Sequence, residues 1–104
     1  MTDKLWKQTE RAIAKTLKGT RVPINGRGSQ PDVRCDWLAI ECKERQQVPA
    51  WLKAALQQAA AGAEPAQLPI VVLHEKGKHH SSDLVVMTLS DFKEWFGNVS
   101  DSAL

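Results

Sequence analysis

The sequence predicts an α/β protein, a mixed β-sheet flanked by helices, with elements in the order α-β-β-β-α-β-β-α. Three observations carry this. Residues 3–18 and 49–63 place apolar side chains at helical period, and short apolar or alternating runs of strand length fill the spaces between and after them. Glycine and proline punctuate the joins, at Gly19, Pro49, Gly62, Pro65 and Gly97. A helix between the third and fourth strands is the length of connection that parallel neighbours need, which makes the sheet mixed.

Taken in order, the first helix spans 3–18, with Asp3 at its start, Lys15 and Lys18 in its last turn and Gly19 as its stop. Trp6, Ile13 and Leu17 lie on one narrow arc, and Glu10 sits in the middle of it. A carboxylate there faces the protein body and needs a partner. Arg21 to Ile24 form a first strand, followed by a flexible Asn25–Gln30 loop that holds Arg27 between two glycines. Pro31–Cys35 and Trp37–Lys43 form two short strands that turn at Asp36. Alternation in the second puts Trp37, Ala39, Glu41 and Lys43 on one face, and Leu38, Ile40 and Cys42 on the apolar other.

Pro49 opens the second helix, whose stripe is Leu52, Leu56, Ala59 and Ala63. Leu68–Leu73 is a continuous apolar run, the pattern of a strand buried on both faces. A polar turn over 75–82 and a strand over 84–89 follow, and Ser90 is placed to cap a short helix from Asp91 to Phe96. Residues 1–97 are expected to form one domain, with 98–104 as a flexible tail.

At 104 residues the chain has room for one modest core. Its ordinary apolar and charged fractions argue against the disordered and membrane classes, and no apolar run approaches a membrane span. With no secretory leader pattern, the expected setting is the cytoplasm, where Cys35 and Cys42 stay reduced. The net charge is only +2, yet Lys4, Lys7, Arg11, Lys15, Lys18, Arg21, Arg27 and Arg34 crowd the first third. That asymmetry suits either a phosphate backbone or a solvated basic helix face.

Pro31-Asp32 and Glu41-Cys42-Lys43 bring two carboxylates and an amine into a stretch that otherwise reads as sheet. Phosphodiester hydrolysis needs a metal to neutralise phosphate charge and activate a water, and magnesium takes hard oxygen ligands. Asp32 and Glu41 on neighbouring strands are able to converge on such an ion, with the Cys42 carbonyl in reach. Lys43, on the face of Glu41, is placed to orient or deprotonate the water.

This constellation resembles the PD-(D/E)XK nuclease superfamily. The likeness covers residues 5–96, and Gly19-Thr20-Arg21-Val22, Pro31-Asp32-Val33 and Ile40-Glu41-Cys42-Lys43 look most like the archaeal-type and phage Holliday junction resolvase branch. The resemblance implies a restriction-endonuclease-like core and a Mg2+-dependent endodeoxyribonuclease, Mn2+ being the substitute ion, that acts on branched DNA, in a bacterial, archaeal or phage-infected cell. It also implies a metal-binding glutamate in the first helix, here Glu10, a serine before the aspartate, here Ser29, and a supporting glutamine on the second helix, Gln58 or its rival Gln57. Arg27, Lys4, Lys7 and Arg11 would grip the DNA backbone, and a homodimer would set two sites on opposed strands.

Simpler readings stand beside these. Asp32 is a common turn residue after proline, Glu41 and Lys43 suit an exposed ion pair, and Glu10 suits a structural pair with an arginine. Gln58 reads equally as a solvated helix residue, and the four tryptophans as core. His74, His79 and His80, taken with Cys35 and Cys42, contain no pair at zinc-motif spacing. Two other functions remain open: a linear-duplex nuclease of repair or restriction type, and a non-catalytic DNA-binding module with the nuclease fold.

Overall fold

A computed structural model of the chain describes residues 5–22 and 30–97. The elements are α1 (Leu5–Thr16), β1 (Thr20–Arg21), β2 (Val33–Cys35), β3 (Leu38–Ile40), α2 (Ala50–Gly62), β4 (Val71–Leu73), β5 (Leu84–Val86) and α3 (Leu89–Phe96). A short 3-10 turn, His80–Ser82, precedes β5. Of the described residues, 5–22, 30–46 and 97 belong to one compact unit and 47–96 to a second, where the sequence suggests a single domain over 1–97. No helix among the described residues is long and apolar enough to cross a membrane.

In the first unit α1 packs on β1 and β2. Its inward face holds Glu10 and Ala14, both buried, and Val33 of β2 is wholly enclosed beneath them. The helix ends in a Schellman arrangement: the Gly19 N–H donates to Ala14 O at 2.7 Å, and Lys18 takes the left-handed conformation at φ 57°. Gly19 serves a different purpose from the expected stop. A Cβ there would stand 2.8 Å from Val33 Cγ1 and 3.0 Å from Arg34 O, so its missing side chain lets the helix end close onto β2.

The expected single mixed sheet is corrected by two antiparallel ones, β1-β2-β3 in the first unit and β4-β5 in the second. A helical crossover permits parallel pairing but does not compel it. Strands of two or three residues pair most cheaply with their neighbours across short turns. Such a turn is Asp36-Trp37, which sets Val33 opposite Ile40 and Cys35 opposite Leu38.

In the second unit Pro49 caps α2, and Leu52, Leu56, Ala59 and Ala63 are its half-buried stripe, with β4 as a packing neighbour. The Leu68–Leu73 run is shorter and more open than expected: only Val71–Leu73 is strand, and Val72 is 53% exposed. In a two-stranded sheet the alternating positions point away from any packed layer, so the run is covered on one side only. Thr88, rather than Ser90, caps α3, its Oγ1 accepting the Asp91 N–H at 3.1 Å. The Asp3 cap, the strand end at 23–24, the loop residues 25–29 and the tail 98–104 lie outside the described residues.

Candidate functional site

An open cleft of about 750 Å³ in the first unit is lined by Leu5, Trp6 and Glu10 of α1, by Asp32, and by the run Glu41, Cys42, Lys43, Glu44 and Arg45. Local folding explains the gathering. Antiparallel pairing of β2 and β3 brings the residue before β2 beside those after β3, and α1 crosses the same sheet. The Cys42 N–H donates to Asp32 Oδ2 at 2.7 Å, which ties the two segments together and aims the carboxylate.

β3 ends at Ile40, so Glu41, Cys42 and Lys43 lie beyond it, not within the longer strand that alternation suggests. Freed from the pleat, all three line one cleft. Lys43 Nζ is 3.3 Å from Glu41 Oε2, and both side chains are more than half exposed. A pair so exposed contributes little to stability, because water screens it.

Glu10 is held differently. It is only 6% exposed and accepts a hydrogen bond from Arg21 Nε at 2.7 Å. The Arg21 guanidinium also lies 5.9 Å from the centre of the Trp6 ring, and the Lys7 ammonium 5.4 Å from it. The buried carboxylate on the apolar arc thus has an arginine partner from β1.

Four carboxylates and two cations line the cleft, and with Arg21 paired to Glu10 one negative charge is left in excess. Cys42 registers this field. Burial pushes its thiol above the ordinary range, and the carboxylates of Asp32, Glu10 and Glu41 push it further. Asp32 and Glu41, which the sequence suggests as Mg2+ ligands, both line this opening. Glu10, Asp32 and Glu41 do not form a group of three at mutual ligand spacing; among the described residues that spacing is reached by His74, His80 and Asp83.

Of the residues expected to contact DNA, Lys4, Arg27 and Ser29 lie outside the described residues. Lys7 is half-buried and Arg11 exposed on α1, and neither lines the cleft. Gln57 and Gln58 are exposed on α2, in the second unit, while the cleft belongs to the first. Arg45, Glu44 and Trp6 were not singled out for the site. Arg45 closely follows the Glu41-Cys42-Lys43 run, and that adjacency is the signal that marks it. Glu44 accepts a hydrogen bond from the Thr9 hydroxyl of α1, a contact between distant positions that no local pattern announces.

The histidines are a second departure. Motif spacing shows no zinc pair among them, yet His74 Nδ1 is 2.6 Å from Asp83 Oδ1 and His80 Nδ1 is 3.0 Å from Asp83 Oδ2. Asp83, which no histidine or cysteine spacing includes, is what links the two rings. Comparison with protein-family models, with curated proteins and with solved structures finds no match.

Proposed function

We propose that the acid cleft is the active site of a metal-dependent endodeoxyribonuclease with a PD-(D/E)XK-type core, selective for branched DNA of the Holliday junction kind. The observation that carries the reading is the shared cleft of Asp32, Glu41 and Lys43, with Asp32 aimed by the Cys42 amide. Asp32 and Glu41 would hold Mg2+, or Mn2+ in its place, beside the Cys42 carbonyl. Bound there, the ion would neutralise phosphate charge and lower the pKa of an attacking water.

The chain's own residues supply the rest. The Lys43 side chain, beside the Glu41 carboxylate, would as an ammonium orient the water and offset negative charge developing on the phosphate, or in its neutral form take the water's proton. Arg45 would draw the DNA backbone to the cleft rim. Glu10 and Arg21 would fix the helix that forms the cleft wall. A two-fold dimer would present two clefts to opposed strands, which suits paired cuts across a branch point.

One observation favours a second reading, a DNA-binding module without turnover: Glu10 is already paired with Arg21, and the three carboxylates are not gathered at ligand spacing. A single experiment separates the possibilities. Wild type and Glu41→Ala are incubated with a four-way junction, a nicked duplex and a linear duplex, each with Mg2+ and with chelator. Junction cleavage that needs Mg2+ and is lost in Glu41→Ala is the expected result. Equal cutting of linear duplex would replace the branched substrate with a repair or restriction one. Junction binding without any metal-dependent cut would establish the binding module.

A further inference from the structure

The geometry points to a second metal site, for Zn2+, on the connection between β4 and β5, with His74, His80 and Asp83 as its ligands. It belongs to the second unit, shares no residue with the acid cleft of the first, and does not rest on the nuclease reading. The hairpin builds it. β4 and β5 pair Val71 with Val86, Val72 with Val85 and Leu73 with Leu84. The same register carried one step further sets His74 across from Asp83. Gly77, at φ 87°, and the Lys78 N–H to Glu75 O bond of 3.1 Å turn the chain back. The 3-10 turn closed by Asp83 N–H to His80 O at 2.9 Å then brings His80 over the same carboxylate.

The three side chains are preassembled. One oxygen of Asp83 faces each imidazole Nδ1, the two rings lie 4.2 Å apart between centroids, and the three ligand atoms are all within 4.8 Å of one another. Asp83 is the sheltered member, its side chain 12% exposed, while His74 is 37% and His80 83% exposed. Two imidazoles and one carboxylate form a zinc ligand set that leaves a fourth, water-filled position. Ligand atoms around a tetrahedral zinc stand ~3.4 Å apart, given metal–ligand distances of about 2.0–2.1 Å. The three ligand atoms, all within 4.8 Å of one another, therefore need to adjust by no more than ~1.4 Å, which the exposed His80 ring is free to allow. Oxygen-loving Mg2+ has no preference for such a site, whereas imidazole nitrogen suits zinc. Holding both ends of the ten-residue run 74–83, the ion would clamp the hairpin.

The test uses the full chain without a histidine tag, stripped with chelator and titrated with ZnCl2 by calorimetry at neutral pH. One Zn2+ per chain with micromolar affinity is expected, with a rise in melting temperature on zinc addition. His80→Ala and His74→Ala should each weaken binding at least tenfold, while Asp32→Ala with Glu41→Ala, and Cys35→Ser with Cys42→Ser, leave it intact. Circular dichroism without metal should show the His80→Ala variant folded, since that ring is exposed. Absence of saturable binding, wild-type affinity in His80→Ala, or loss of binding in the cysteine or carboxylate variants would overturn the assignment.

Discussion

The acid cleft and the β4–β5 hairpin hold their charged groups by different means. The cleft draws side chains from α1, from the residue before β2 and from the run after β3, and sequence-distant contacts maintain it. The hairpin draws its three from a ten-residue stretch whose register and turn dictate their meeting. The hairpin cluster is tight, with carboxylate–imidazole contacts of 2.6 and 3.0 Å, and the cleft is open, its carboxylates spread around a volume of about 750 Å³. Local closure costs little chain entropy and tolerates a thin core; gathering groups from afar relies on packing. The first unit's core offers little of that, since Val33 is its one fully enclosed side chain among the described residues.

Four predictions probe this contrast, beginning with the largest effect. Lys43→Ala should lower junction cleavage by ~10²–10⁴-fold, the usual worth of a positioned acid–base group. Its melting temperature should stay near that of the wild type, because the Lys43–Glu41 pair is exposed. A large loss of stability instead would make the pair structural and move the chemistry elsewhere. Glu10→Ala should cost about 2–3 kcal/mol in urea unfolding, less than a fully buried pair because Arg21 keeps some solvent. A double variant with Arg21→Ala should recover part of that cost, which distinguishes the ion pair from mere packing.

Gly19→Ala should cost about 1–3 kcal/mol through the clash with Val33 and Arg34. A neutral result would mean that α1 shifts freely on β2, and the cleft wall with it. The smallest effect concerns Cys42. Its raised pKa leaves a smaller fraction of thiolate than in a free thiol, whose pKa is about 8.5. In a Cys35→Ser background, alkylation by iodoacetamide at pH 8.5 should therefore lag several-fold behind that of the same chain unfolded in urea. The sign for stability follows: this contribution is present below the ordinary thiol pKa and fades as the pH rises through the raised one. Equal alkylation rates would show that the carboxylate field does not reach the thiol.

Much of the local architecture was readable because periodicity is a local property. Glu10 at the centre of an apolar arc announced a buried carboxylate, and the α2 stripe of Leu52, Leu56, Ala59 and Ala63 emerged as drawn. Strand lengths were not readable. Apolar content extends Leu68–Leu73 and Trp37–Lys43 beyond the three-residue ladders that pairing supports, because ladder length depends on the partner strand. The caps shifted for the same reason: Thr88 and Ser90 are both able to cap α3, and backbone geometry selected Thr88.

The candidate sites divide along the same line. Residue order alone determined the helix faces, the proximity of Glu41 to Lys43, and a turn at Asp36, because each is set by neighbours along the chain. Which arginine neutralises Glu10, which amide aims Asp32, and which carboxylate joins His74 to His80 were decided when separate segments packed or paired. Those choices depend on where another segment comes to lie. Hydrogen bonds and ion pairs act over a few ångströms in space, without regard to distance along the chain.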